Sequence, residues 1–335
     1  MKKIFITDYI NSPDIEKKFL SDHAEIICLN EKNEKKFPDK ICDADGILVW
    51  HTKLSEITLK KLKKGIAIIR YGVGIDNIDL KSVEKYNHLF ANTPDYGVDE
   101  VADTASAMIL NFIRKIQFYN NRTKSYFGNW QGEVINLNKH NPIQRTSQHS
   151  LGIIGLGRIG SALALRMKSF DMKIGFYDPY VASGYEKVLG IKRYESLDDL
   201  KSQSSIISIN SVLTKETNKM INKEFINSLN DNTILINPAR GAIIENLDIL
   251  YDGLKNNKLS AVGLDVLPEE PPKPTDKLIE VWKNLKDCLS DKIIINPHAG
   301  YFSSLSINEM RTKASENMLS FIKGKKLKNV IKFKE

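Results

Sequence analysis

At 335 residues the chain is long enough for two domains with separate cores, and its 41% hydrophobic and 27% charged residues describe a globular protein rather than a disordered or fibrous one. Its net charge of +8 comes from lysines scattered among Asp, Glu and Asn, and the densest run, 323–328, lacks the interleaved aromatics that stack bases, so it argues against nucleic acid as a partner. No apolar run approaches the ~20 residues of a membrane span. Cys28, Cys42 and Cys288 are odd in number and lack metal-ligand spacing, which argues against a disulfide framework and a metal site and makes a reducing cytoplasm the expected location.

In chain order, Met1-Lys2-Lys3-Ile4-Phe5-Ile6 resembles a signal start only until Asp8, Asn11 and Asp14 interrupt it, so it reads as a first buried strand. Strands are expected at 3–7, 25–29, 46–49, 67–70 and 89–91. Val98, Val101, Ala102, Ala105, Met108, Ile109, Phe112 and Ile113 then form a helical stripe over 98–114. Residues 120–149 are polar and show no clear period, which suggests an arm. Arms of this kind often embrace a second subunit, and with the preceding helix this predicts a homodimer. Further strands are expected at 151–154, 173–177, 205–209, 233–237, 261–266 and 292–296, with a last helix over 303–321. This alternation predicts an α/β protein with two doubly wound parallel sheets. Packing of the last helix on the first sheet would make the first domain discontinuous, 1–102 with 298–335, around a second domain of 103–297.

The most specific local signal is Gly155-Leu156-Gly157-Arg158-Ile159-Gly160. An apolar strand enters the first glycine, and Ile159, Leu163, Arg166, Met167 and Phe170 follow the last at helical spacing. Gly155 permits the tight turn, Gly157 lets the backbone approach a pyrophosphate and Gly160 lets the helix pack on the sheet. Asp178 ends the next strand, at about the distance expected of a carboxylate for the adenosine ribose hydroxyls, and its charge would repel a 2′-phosphate. NAD is therefore the expected cofactor, while Arg158 could contact the pyrophosphate.

Two later strands end alike. Asn237-Pro238 leads into Ala239-Arg240-Gly241, and Asn296-Pro297 leads into His298-Ala299-Gly300. A third ends near Asp265, Glu269 and Glu270. Ligands of open α/β sheets bind beyond the carboxyl ends of strands, so an arginine, a carboxylate and a histidine converge at one rim. His23, His88, His140 and His149 belong to no such group and read as surface residues.

The order Gly-x-Gly-x-x-Gly, Asn-Pro-Ala-Arg-Gly, Leu-Asp-Val-x-x-x-Glu-Pro and Pro-His-Ala-Gly resembles the D-2-hydroxyacid dehydrogenase family over nearly the whole chain. The first half adds Tyr71-Gly72-Val73-Gly74-Ile75-Asp76-Asn77-Ile78-Asp79 and Asn92-Thr93-Pro94-Asp95-Tyr96. Trp50-His51-Thr52, Arg70 and Asp99-Glu100-Val101-Ala102-Asp103 look closest to the branch containing the C-terminal-binding proteins. The resemblance implies a Rossmann NAD-binding domain inserted in a flavodoxin-like substrate domain. Arg240 would hold a 2-oxo acid, and His298 would be the general acid/base. Glu270 would pair with His298 and favour its protonated form, although Glu269 could compete. Against the family pattern Arg240 and Glu270 lie one residue farther apart than is usual, with the extra residue expected in the Asn256-Asn257 turn. Gly155, Gly157, Arg158, Ile159, Gly160 and Asp178, with Pro238, Ala239, Asp265 and Gly300, would contact the cofactor. Val73, Gly74, Arg70 and His51 would meet the substrate. The family's usual His-x-Pro-Leu-Thr is here Asn210-Ser211-Val212-Leu213-Thr214, a departure at the cofactor site. The leading reading is an NAD-dependent reductase of a small 2-oxo acid. The alternatives are a phosphoglycerate dehydrogenase-like enzyme, with His51 and Lys53 as phosphate donors, and a dinucleotide-sensing binding protein.

Overall fold

The computed structural model describes residues 1–124, 130 and 142–332. They divide into two compact units, one of 1–97 with 302–332 and one within 98–301. The divisions fall at 97/98 and 301/302 rather than at 102/103 and 297/298, so the long helix Val98–Arg114 lies whole in the second unit, and so does His298. Most of the expected arm at 120–149, including His140, lies outside the described residues.

The first unit is a five-stranded parallel sheet of β1 (Lys2–Ile6), β2 (Ala24–Cys28), β3 (Gly46–Val49), β4 (Ala67–Arg70) and β5 (Leu89–Ala91), ordered β2-β1-β3-β4-β5. This is the flavodoxin-like order. Every residue of β3 and β4 is buried, as a parallel strand covered on both faces requires. The C-terminal helix Ser304–Ile322 packs on β4 and against the helix Asp14–Leu20, so both chain ends build one body. Beyond it the chain bridges β5 in the antiparallel sense at Ala91 and Val330, which covers a strand edge.

The second unit is a seven-stranded parallel sheet. Its strands are β6 (Ser150–Ile154), β7 (Lys173–Tyr177), β8 (Lys192–Arg193), β9 (Ile206–Ile209), β10 (Thr233–Asn237), β11 (Leu259–Leu264) and β12 (Ile293–Ile295). The order β12-β11-β10-β9-β6-β7-β8 is that of a Rossmann sheet with one added edge strand, and it reverses direction at β6/β9. One face is covered through Ala105, Ile109, Leu163 and Met167, the other through Leu200, Phe225, Leu250 and Leu278. Only β8 escapes the sequence reading, because two polar residues carry no periodicity. Strand β11 ends at Leu264, two residues before its expected end, which leaves Asp265 at the rim.

Two histidines depart from expectation. His88 is 3% exposed, not on the surface, with Nε2 3.0 Å from the Leu59 carbonyl oxygen. His149 is half-buried, and burial pushes its pKa down. Among the described residues no helix is long and apolar enough to cross a membrane.

The two ends of the first unit are joined by a buried charge pair. Glu16, 0% exposed, accepts from Arg311 Nε at 2.9 Å and Nη2 at 2.6 Å and from Tyr71 Oη at 2.8 Å. Removing one partner of such a pair strands the other, so Arg311→Met is expected to cost about 3–5 kcal/mol. The double variant Glu16→Leu/Arg311→Met should recover most of that loss in chemical denaturation of the full chain.

Candidate active site

The glycine turn has the geometry that its sequence implies. Gly155 sits at φ +91°, a left-handed conformation, and a Cβ there would lie 2.7 Å from the backbone of Ser211. A Cβ on Gly160 would lie 2.3 Å from the Gly155 carbonyl oxygen, so the helix Arg158–Lys168 can approach the turn only with glycine at that position. Around Gly157, by contrast, there is open space, with exposed Arg158 and half-buried Ile159 beside it at the helix N-terminus. Asp178 accepts from Leu156 N–H at 2.8 Å and from Tyr180 N–H at 2.9 Å, which fixes its carboxylate against the turn. Asn210 Oδ1 and Ser211 Oγ, beside Gly155, are buried without a hydrogen-bond partner among the described residues. Space at Gly157, helix N–H groups, a fixed carboxylate and two unsatisfied oxygens suit a dinucleotide pyrophosphate and ribose. The departure at Asn210-Ser211 therefore supplies polar atoms to the site.

Arg240, Glu270 and His298 come together in the same unit. Asn237, 0% exposed at the end of β10, accepts from Ala239 N–H at 3.0 Å and donates to the Arg240 carbonyl at 3.0 Å. Its side chain thus closes the Pro238-Ala239 turn that presents Arg240, whose Nη1 donates to the Ala239 carbonyl at 2.8 Å. A Cβ on Gly241 would lie 1.8 Å from the Leu267 carbonyl oxygen, so only glycine lets this turn reach the loop that carries Glu270. Leu267 N–H in turn donates to Glu270 Oε1 at 2.9 Å, and Glu270 Oε2 meets His298 Nδ1 at 2.8 Å. Glu269 pairs instead with Lys273 at 3.2 Å. His298 itself adopts φ +54°, a conformation that non-glycine residues enter at a cost. Asp265 holds it there: its carbonyl accepts from His298 N–H at 2.8 Å, and its Oδ1 accepts from Ala299 and Gly300 N–H at 3.0 and 2.9 Å. Burial pushes the Asp265 pKa up, against the charge of His298 and these N–H groups.

In the first unit the expected substrate residues share one sheet edge. Arg70 is buried at the end of β4 and donates to the Gly74 carbonyl, while Val73 is exposed at the tip of the loop. Asn92 Nδ2 ties that loop through the Val73 carbonyl at 2.6 Å. His51 follows β3, exposed and stacked on Trp50 with ring centroids 5.5 Å apart. Its position depends on Asp8, 1% exposed, which accepts from the N–H groups of Trp50, His51 and Thr52 at 3.2, 2.7 and 3.1 Å. Sequence reasoning missed Asp8 and the role of Asn237. An Asp after a strand looks like any turn residue, although the Asn-Pro repeat after β10 and β12 was a signal for the second.

Fold and site together define a dinucleotide-binding protein of the two-sheet dehydrogenase architecture. Residues 106–300 match the family model for the D-isomer specific 2-hydroxyacid dehydrogenase NAD binding domain, and the chain belongs to that family. Over 332 residues, 99% of the chain, it is 30% identical to a D-3-phosphoglycerate dehydrogenase of Methanocaldococcus jannaschii, of which it spans only 59%. It is 28% identical over 335 residues to a glyoxylate reductase of Korarchaeum cryptofilum, covering 98% of this chain and 95% of that one. The solved D-lactate dehydrogenase of Aquifex aeolicus, complexed with NAD and lactic acid, superposes with a TM-score of 0.80 at 30% identity over 96% of each chain.

Glu270 has a lowered pKa. Burial pushes it up, but the hydrogen bond and charge of His298, the Leu267 N–H and the charge of Arg240 hold it below the ordinary 4.5. The folded state thus binds this proton more weakly than the unfolded one. The resulting stabilisation is present above the ordinary value and is lost as pH falls through the lower folded value. The gap in melting temperature between wild type and Glu270→Gln should therefore narrow below pH 4.5. A gap that ignores pH there contradicts this account.

Proposed function

We propose that the chain interconverts a small 2-oxo acid and its D-2-hydroxy acid, with NAD as redox partner. The observation that carries this reading is the 2.8 Å pair of His298 Nδ1 and Glu270 Oε2, in the same unit as Arg240 and the glycine turn. Because Glu270 is ionised at neutral pH it accepts from Nδ1–H, which leaves His298 Nε2 to exchange a proton with substrate. When bound, the nicotinamide supplies or accepts the hydride at the substrate C2. In the reductive direction His298 Nε2 gives its proton to the carbonyl oxygen, and the Glu270 carboxylate stabilises the imidazolium before transfer. Arg240 polarises that carbonyl and stabilises the developing alkoxide. To the first unit the proposal gives the substrate carboxylate, through the N–H groups at Val73 and Gly74, with Arg70 and His51 nearby on the same sheet edge.

A phosphorylated substrate is the second reading, favoured by the Methanocaldococcus jannaschii relative, though the chain spans only 59% of that protein. His51 and Lys53 would be its phosphate donors. The partner in this proposal is a second copy of the chain, packed along Val98–Arg114. Its support is a cavity of about 750 Å³ at the amino ends of β9–β12, lined by Phe112, Lys115, Phe118, His149 and Cys288 among others. A monomer in sedimentation would remove it.

Turnover is tested by following NADH absorbance with glyoxylate, pyruvate, hydroxypyruvate and its 3-phosphate. His298→Ala should lower kcat/KM by about 10²–10⁴-fold while NADH still binds, and Arg240→Ala should also lose activity. If NADH binds but no acid is reduced above the His298→Ala background, the proposed activity is wrong. Reduction of the phosphate ester alone selects the second reading.

A further inference from the structure

The loop after β7 carries Asp178, and a single side chain fastens that loop from behind. Arg193 stands on the edge strand β8, paired with Phe176 of β7. Its guanidinium lies 4.8 Å from the centre of the Phe176 ring. Nη1 donates to the Asp178 carbonyl at 3.4 Å, and Nη2 donates to the carbonyls of Val181 and Ala182 at 3.2 and 2.8 Å. Nε meets Glu186 Oε2 at 3.1 Å, and the two Glu186 oxygens accept from Gly184 N–H at 3.0 and 3.1 Å. Every guanidinium nitrogen is thus spent on the segment from Asp178 to Glu186.

From the front, the same loop is fixed where Asp178 reaches Leu156 N–H in the glycine turn and Tyr180 N–H within the loop itself, and where the exposed Tyr180 hydroxyl donates to Glu216. Residues 178–184 contain no helix or strand, so they have no regular hydrogen-bond ladder of their own. A planar fork of donors can satisfy three carbonyls and a carboxylate together, whereas an ammonium group on a flexible stem cannot reproduce that geometry. A loop ordered in advance also spares a ligand the entropy of ordering it.

We propose that Arg193 is a positioning residue for the adenosine end of the dinucleotide. It holds in place, before binding, the loop on which Asp178 meets the ribose hydroxyls, and so sets the affinity for NAD and the rejection of NADP. Its charge is turned into the loop carbonyls and not outward as a phosphate acceptor. The proposal rests on the NAD-binding domain and is independent of which acid is turned over.

The test is fluorescence titration of NADH and NADPH into the full-length protein, with thermal melts, for wild type, Arg193→Lys and Glu186→Gln. Arg193→Lys is expected to stay folded, to bind NADH about tenfold more weakly, equivalent to about 1.4 kcal/mol, and to narrow the gap between NADH and NADPH. In turnover its KM for NADH rises while kcat and the KM for the acid stay the same. Glu186→Gln keeps the side-chain shape and one acceptor oxygen, so it weakens binding less. Unchanged NADH affinity in both folded variants overturns the clamp. A loss of affinity that tracks a loss of melting temperature in both overturns it equally, since that assigns Arg193 to the fold alone. Wild type that binds no NADH removes the site and the clamp together.

Discussion

A parallel sheet needs a crossover after every strand, and those crossovers cover both faces with helices. What remains open is the row of strand ends. Both sheets of this chain obey that constraint, and it explains where its chemistry-bearing residues stand. Gly155 follows β6, Asp178 follows β7, Asn210 follows β9, and the turns bearing Arg240, Asp265 and His298 follow β10, β11 and β12. In the first sheet Asp8, His51 and the loop after Arg70 occupy the same kind of place. Away from their ends the central strands are mostly Ile, Leu, Val, Phe, Ala and Gly, and burial commits those side chains to the core.

The strand ends share a second device, a carboxylate just past the strand that accepts N–H groups from a neighbouring turn. Asp8 gathers the N–H groups of residues 50–52, Asp178 reaches into the glycine turn, and Asp265 gathers Ala299 and Gly300. Charge-assisted hydrogen bonds of this sort are short and strong, and they order irregular backbone that no ladder stabilises. Burying the charge has a cost, visible in the raised pKa of Asp265. Glu270, more exposed and paired with His298, is shifted the other way. Two carboxyl groups against one histidine backbone and ring are thus driven apart in proton affinity. Divergence of that kind separates a group that shapes the loop from one that couples to the imidazole.

Much of this was legible in the chain. Unbroken apolar runs bounded by turn residues located the long strands, and β3, β4, β5, β7 and β10 begin and end where their patterns do. The helix Val98–Arg114 carries its stripe over the expected span, with Val101, Ala105, Ile109 and Ile113 buried. The division between units was less legible, because that helix runs on with no break in composition. Side-chain partnerships were hardest to read. Nothing local distinguishes the buried Asp8 from a turn aspartate, or the buried His88 from an exposed one. Arg193 shows no motif at all, because its carbonyl partners carry no sequence signature. Glu270 and Glu269 are adjacent and chemically alike. Only the Leu267 N–H, brought close by Gly241, orients the former toward His298.

That last contact bears on how the site is built. Arg240, Glu270 and His298 come from three strand ends of one sheet, and each is held by backbone of the same unit: the Ala239 carbonyl, the Leu267 N–H and the Asp265 carbonyl. Their mutual geometry is thus set in part by backbone of their own unit. The groups assigned to the substrate carboxylate are held in the same way, by Asp8 at the His51 loop and by Asn92 at Val73. In the proposed reaction, the proton-transferring pair and the loops given the substrate carboxylate are each ordered by hydrogen bonds within their own unit. Local ordering of that kind lets loops at the strand ends of one sheet differ in sequence while the turns of the other keep their own hydrogen bonds.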